Sequence, residues 1–401
     1  MLEIKGKIGT AIAYASVIED EAVEQIRRMC DYGFTEGSRI RIMPDVHAGA
    51  GCTIGTTMTV ADKVVPNIVG VDIGCGMYTV DLGKADIDME RFDEACHFIP
   101  SGFDVWDKPA AFFDLGALRC SAKLKDTGRL VRSLGTLGGG NHFIEIDRAA
   151  DGTNYLVIHT GSRQLGLQTA KHYQSLAVEL AKGKEDYTRQ REQIIEELKA
   201  SGRKQEIQGA LASLKMEYEK RDPEVPEDLC WLYGSYMDDY LHDVSICQAF
   251  ARQNREKIAG ILLDRTGICG GEAFHTIHNY IDTGEMMLRK GAIAAHKGEK
   301  VLIPINMRDG SVLAVGKGND EWNQSAPHGA GRIMSRAKAF QTLDIQEYKK
   351  QMEGVYTTSV NSATLDESPM AYKSLDDIIG VIGDTVDIIE VLKPIYNFKA
   401  D

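Results

Sequence analysis

The chain has 401 residues, 43% hydrophobic, 7% aromatic and 26% charged, a composition that excludes disordered, collagen-like and low-complexity classes. Its 46 Lys and Arg against 59 Asp and Glu leave a formal net charge of −13, which excludes nucleic-acid binding by bulk positive charge, so a polyanion must meet a local basic patch. Eight cysteines without a Cys-x-x-Cys pair exclude a small disulfide scaffold and a zinc ribbon; reduced thiols, a cytoplasmic location and no membrane span or signal peptide are expected.

In chain order, residues 19–31 predict a short helix, and Arg39 to Ile42 a strand ending at Pro44-Asp45-Val46-His47. Residues 54–60, 67–71 and 77–82 predict strands, with Asp72 to Gly76 as the turn between the last two. Strands over 142–146 and 155–158 follow, the second running into His159. Between about 182 and 221, Ile194, Leu198, Ile207, Leu211, Leu214 and Tyr218 recur at helical spacing around Ser201-Gly202, predicting an antiparallel helical hairpin inserted in the domain, its balanced charges forming a solvated face. A helix is expected over 239–261, strands over 301–305 and 311–315, and an apolar-periodic helix over 376–392. The fold class is α+β: one large domain over 1–401, mixed β-sheets with peripheral helices, and functional residues at strand ends.

The forty glycines cluster beside histidines, cysteines and aspartates. Four tight turns carry metal-capable donors: Asp72 and Cys75, Asn141-His142 with Glu145, His159 with Arg163, and His278-Asn279. Each alone is weak, since a buried Cys or a lone His is usually structural. Together, three His, one Asp and one Cys among glycines suit one or two divalent metals assembled from distant segments. Carboxylate and water suit Mn²⁺ or Mg²⁺, whereas the thiolate pulls toward Zn²⁺. A second constellation, SAPHGAGR at 325–332, sets His328 where phosphate can meet backbone N–H groups and the Arg332 guanidinium, as a nucleophile attacking an α-phosphate requires. Walker A, Gly-x-Gly-x-x-Gly and Gly-x-Ser-x-Gly patterns are absent from the sequence, removing the main support for P-loop, Rossmann and serine-hydrolase readings.

These segments, taken with PDVHAGAG at 44–51, VDIGCG at 71–76, GGGNHFIE at 138–145, HTGSR at 159–163, RKGA at 289–292, AYK at 371–373 and Lys399, resemble the RtcB-type RNA-splicing ligases in collinear order through most of the chain. The resemblance implies a GTP- and Mn²⁺-dependent ligase joining RNA 2′,3′-cyclic phosphate or 3′-phosphate ends to 5′-hydroxyl ends. It implies two manganese ions held by Asp72, Cys75, His142, His159 and His278, with Cys75 bridging and Asp72 sharing an ion with His159 or His278. His328 would take GMP from GTP, and its attacking nitrogen must be neutral, so activity falls in acid. Asn141, Phe143, Glu145, Ser311, Tyr372 and Lys399 would surround the guanylate, Arg332 its phosphate, and Asp45 and Arg163 the reacting RNA termini. Arg39, Arg41, Arg163, Arg289, Lys290, Arg336 and Lys338 are candidates for a basic RNA approach surface. The implied protein is a monomer, with an archease-like activator as a possible partner. The turn over 305–311 departs from the Gly/Ser-rich family pattern, which puts the shape of the nucleotide pocket in question. The principal rival keeps the metals without ligation, a phosphodiesterase or phosphatase acting on RNA ends; a catalytically silent RNA-binding protein is a further one.

Overall fold

The structure, a computed structural model, describes residues 1–15 and 18–399. A seven-stranded sheet runs in the order Ala273–Ile277, Gly76–Gly83, Asn154–Thr160, Phe143–Arg148, Val386–Lys399, Gly310–Gly316, Lys300–Asn306, with every pairing antiparallel. Its register aligns Gly76 with Thr160 and Ile277, and Phe143 with His159. Four adjacent strands therefore begin or end at one edge, and Cys75, His142, His159 and His278 all emerge there. A six-stranded sheet, Leu2–Lys5, Thr10–Ala13, Ile40–His47, Ile54–Thr59, Met287–Lys290, Asn279–Asp282, lies alongside. The short pair Ala292–Ala294 and Ser325–Pro327 delivers His328.

The helix Gly234–Thr266, about 50 Å long at 1.5 Å per residue, ties the two halves together. Its Val244, Cys247 and Phe250 are buried in the core against the six-stranded sheet, while Ile258, Ala259 and Leu262 are buried against the seven-stranded one. The buried residues recur every three or four positions along one stripe that also carries the polar Asp243, Asn254 and Arg255, while Arg252 and Arg265 face out. The helices Lys184–Ala200 and Ile207–Glu219 stand where the hairpin was expected. Tyr187 stacks on Tyr218 at 4.6 Å, joining the start of one to the end of the other, so the pair is antiparallel. Leu214 is its one buried side chain, and its charges pair locally, as in Arg189–Asp186 and Lys215–Glu219.

Two expectations are corrected. Residues 67–71 do not form a strand; Pro66–Val69 is a helical turn with proline at its first position, where the missing N–H and fixed φ favour a helix start. The strand entered at Ile40 ends at His47 as expected, and its pairing with Ile54–Thr59 is interrupted between Ile42 and His47, around a proline that has no N–H to give a ladder. The helix expected over 376–392 ends after Leu375–Ile382, and Val386–Lys399 is a strand wedged between two neighbours. Short apolar runs carry either period, and tertiary pairing decided this one. All eight cysteines are free, seven of them buried and Cys269 exposed. Among the described residues no helix is long and apolar enough to cross a membrane.

Candidate active site

At the shared strand edge the five expected donors form two groups with one member in common: Asp72, Cys75 and His142, and Cys75, His159 and His278, the donor atoms of each lying within 4.8 Å of one another. Cys75 Sγ lies 3.5 Å from His142 Nε2 and 3.4 Å from His159 Nε2. Asp72 Oδ2 lies 3.0 Å from His142 Nε2, and His159 Nε2 lies 3.0 Å from His278 Nε2. The geometry thus pairs Asp72 with His142, not with His159 or His278 as the resemblance suggested.

The donor chemistry fits a cation. His142 Nδ1 donates to Leu137 O at 2.9 Å and His159 Nδ1 to Asn141 O at 3.0 Å. A carbonyl only accepts, so both rings donate from Nδ1; His159 thereby turns a bare Nε2 lone pair inward, the arrangement that metal-ligating histidines adopt, while His142 Nε2 faces the Asp72 carboxylate. Burial first, and neighbouring imidazoles next, hold His159 and His278 well below the ordinary histidine range. Among the described residues His278 Nδ1 has no partner, so neutral His278 can donate from Nε2 to the bare Nε2 of His159, and a cation binding there would take the place of that proton. Burial alone would raise Asp72, but the hydrogen bond and charge of His142, with Arg163 beyond, bring it below the usual carboxylate range. Burial, and then Asp72, push the Cys75 thiol well up; a coordinating metal overrides such a shift by binding the thiolate.

His328 approaches from the other side, its ring centroid 4.9 Å from that of His278. Its Nδ1 donates to Asp45 Oδ2 at 2.7 Å, leaving Nε2 bare. Asp45 has no exposed surface and also accepts the His328 backbone N–H at 3.3 Å. Gly331, at φ +71°, lets the chain press against it, since a Cβ there would lie 2.8 Å from the Asp45 carbonyl oxygen. Asp45 thus sits beneath the histidine.

A cavity of about 300 Å³ opens from His159, His278 and His328 and is lined by Asn141, Phe143, Glu145, Arg332, Tyr372 and Lys399. Ser311 does not line it; it is fully buried beside Asp147. Arg332 is already committed, donating to Met334 O, Asp366 O and the Tyr372 hydroxyl and pairing with Glu367, which makes it part of the cavity wall rather than a free phosphate clamp. Glu145 is raised well above the carboxylate range by burial and the neighbouring Asp147, and it accepts from Asn397 Nδ2. The divergent turn is firm: Asn306 Oδ1 accepts the backbone N–H groups of Arg308 and Asp309 at 3.0 and 2.9 Å, and Asn306 and Met307 face the cavity.

Arg163 faces a second cavity, lined by Gly102, Phe103, Lys125, Arg129 and Gln168 among others, on the far side of the Gly138–His142 turn. Of the other cations expected to meet RNA, Arg289 and Lys290 point inward. Arg289 is buried on Ser325 and Tyr280, and Lys290 on Asn67 O and Ala50 O. Arg336 pairs with Asp366 and Glu367.

Glu367 and Asn397 escaped the sequence reading. Glu367 is 2% exposed and gathers Lys399 Nζ at 2.8 Å, the Tyr372 hydroxyl at 2.7 Å and Arg336 Nη1 at 2.6 Å. Burial would raise it, but Lys399 and Arg336 hold it down at about 2. No motif surrounds it. Asn397 had a signal: it lies two positions before Lys399 on one strand, hence on the same face, opposite Glu145.

A sequence model of the family described as tRNA-splicing ligase RtcB matches residues 25–111 and 112–400. The chain is 29% identical to RNA-splicing ligase RtcB of Escherichia coli (strain K12) over 90% of each chain. It is 27% identical to tRNA-splicing ligase RtcB of Archaeoglobus fulgidus, covering 91% of this chain and 88% of that one, and 27% identical to RNA-splicing ligase RtcB of Mycobacterium tuberculosis, covering 84% and 90%. With nearly its whole length matched and the donor cluster assembled at one sheet edge, the chain belongs to the RtcB family of tRNA-splicing ligases.

Proposed function

We propose that the protein is an RNA ligase that uses GTP and Mn²⁺ to join 3′-phosphate or 2′,3′-cyclic phosphate ends to 5′-hydroxyl ends through a His328–GMP intermediate. The observation that carries this is the bare Nε2 of His328, fixed by Asp45 at Nδ1, facing a nucleotide-sized cavity whose wall includes His159 and His278. Asp72, Cys75, His142, His159 and His278 would hold two ions, which when bound neutralise charge on phosphate oxygens and lower the pKa of a water for opening a cyclic end.

The chain's own groups perform the rest. His328 Nε2 attacks the α-phosphorus; an N–P bond forms, the bond to the pyrophosphate oxygen breaks, and Asp45 holds the ring while positive charge develops on it. The imidazole then leaves as an RNA 3′-phosphate oxygen takes the guanylyl group. GMP departs in turn when the 5′-hydroxyl attacks the activated 3′-phosphate. Phe143, Glu145, Tyr372 and Lys399 shape the guanylate end of the cavity, and Arg163, beside Asp72 and the second cavity, would meet an RNA end.

Incubation with Mn²⁺ and GTP labelled at the α-phosphate tests the reading. The protein should acquire acid-labile, alkali-stable label, His328→Ala should not, and RNA bearing a cyclic phosphate and a 5′-hydroxyl should then be joined. Processing of the cyclic end without protein labelling or joining would establish the phosphodiesterase instead.

A further inference from the structure

We infer that Arg255, together with Asn254, is a positioning residue that sets the spacing between the two metal-capable donor groups. This rests on the two-ion reading above and goes beyond it, since neither residue touches a donor atom.

Both lie in the middle of the Gly234–Thr266 helix and have no exposed surface. Arg255 Nη1 donates to Gly74 O at 2.7 Å and to Thr160 O at 2.8 Å. Gly74 immediately precedes Cys75, and Thr160 immediately follows His159, so one nitrogen pins the backbone beside the shared thiol to the backbone beside the second group's imidazole. Asn254 Oδ1 accepts the N–H groups of Gly135 and Thr136 at 2.6 and 3.0 Å, while Nδ2 donates to Thr136 O at 3.1 Å and Gly161 O at 3.2 Å. That fastens the loop whose Leu137 carbonyl orients His142. Two consecutive side chains of one helix thereby brace the segments carrying Cys75, His142 and His159.

A hydrogen-bonded chain orients the guanidinium in turn. Its Nε lies 3.4 Å from His275 Nδ1, and His275 Nε2 lies 3.1 Å from Glu256 Oε1. An Arg N–H only donates and an ionised carboxylate only accepts, so His275 is neutral with its proton on Nε2. The ring is also stacked on Tyr78 at 4.4 Å. Arg255 is therefore held at Nε and at Nη1, a rigidity that a lone bond to one carbonyl would not give.

The sign of the effect separates this role from a purely electrostatic one. A cation buried beside two dications opposes their binding, so if charge were all that Arg255 contributed, its removal would tighten the site. Positioning predicts the reverse, because outer partners of metal ligands typically contribute 10–100-fold in affinity.

The test is Mn²⁺ titration of the metal-free full-length protein, with electron paramagnetic resonance reading the spin coupling between the two ions. Arg255→Met should fold, bind Mn²⁺ about 10–100-fold more weakly and lose or alter the coupled spectrum. Arg255→Lys, which keeps a donor able to reach the carbonyls, should recover most of the affinity. Wild-type or tighter binding by Arg255→Met, with an unchanged coupled spectrum, overturns the proposal. Should that variant not fold, His275→Leu decides: it leaves the charge in place and frees Nε, so weaker binding with a changed coupled spectrum supports the role, and wild-type values refute it. Wild-type protein that takes up no pair of Mn²⁺ ions would instead sink the two-ion reading itself.

Discussion

Replacing Glu367 by Gln removes the carboxylate that Lys399, Arg332 and Arg336 share at the nucleotide end of the cavity. A glutamate carboxyl that ionises near 4.5 when exposed is held at about 2 here, and the difference of roughly 2.5 pH units corresponds to about 3 kcal/mol at neutral pH, at about 1.4 kcal/mol per unit. That agrees with the 3–5 kcal/mol typically lost when one partner of a buried pair is removed. The folded-state value is depressed, so the contribution is complete above about pH 4.5 and is lost as pH falls toward 2. The same linkage gives about 2.5 kcal/mol at pH 4 and about 1.4 kcal/mol at pH 3. Urea unfolding of the metal-free wild type and Glu367→Gln, followed by tryptophan fluorescence at several pH values, measures the gap. A difference below about 1 kcal/mol at pH 7, or one that does not narrow in acid, would refute the reasoning.

Cys75→Ser should abolish both metal sites, because the thiol belongs to both donor groups, whereas His278→Ala should spare one; metal content per chain after gel filtration in Mn²⁺ distinguishes the two. Asp45→Asn keeps the shape under His328 but removes the charge that favours its Nδ1–H tautomer and positive ring, so protein labelling from α-labelled GTP should slow by about 10²-fold or more, with nucleotide affinity little changed. Gly138→Ala places a methyl 1.6 Å from Arg163 Nη1 at a residue with φ +84°; it should displace the guanidinium and impair RNA joining more than self-labelling, which paired rate measurements would show.

The donor set was legible because glycines crowd the backbone beside most of its members, His278 excepted. No one turn sufficed: Cys75, His142, His159 and His278 stood out only in combination, and His328 by the Gly-rich segment that follows it. How they divide between two ions was not legible, because Asp72 joins His142 only through the alignment of strands that begin 67 positions apart. The buried carboxylates were harder. Glu367 sits in a short 3₁₀ turn with no pattern around it, and its partners arrive from Tyr372 and Lys399 on separate elements. The basic residues misled in the opposite direction: Arg289 and Lys290 look like a surface patch in a linear reading, yet both are used to bind carbonyl and hydroxyl oxygens inside the fold. A charge's neighbours in sequence do not reveal which way its side chain turns. The strand Val386–Lys399 escaped for a related reason, since its identity comes from the two strands on either side of it.

The membership of one sulfur in two metal-capable donor groups has a consequence for how the protein would keep its shape. Ions seated there would clip together stretches of chain from Asp72 to His278, reversibly and without a covalent bond, and since only the native arrangement offers all five donors, free Mn²⁺ would raise the melting temperature in step with the logarithm of its concentration. A chelator would then loosen the region where four strands meet before it touched the distant helical pair at 184–219, so protease sensitivity along that edge would report the supply of the ion directly.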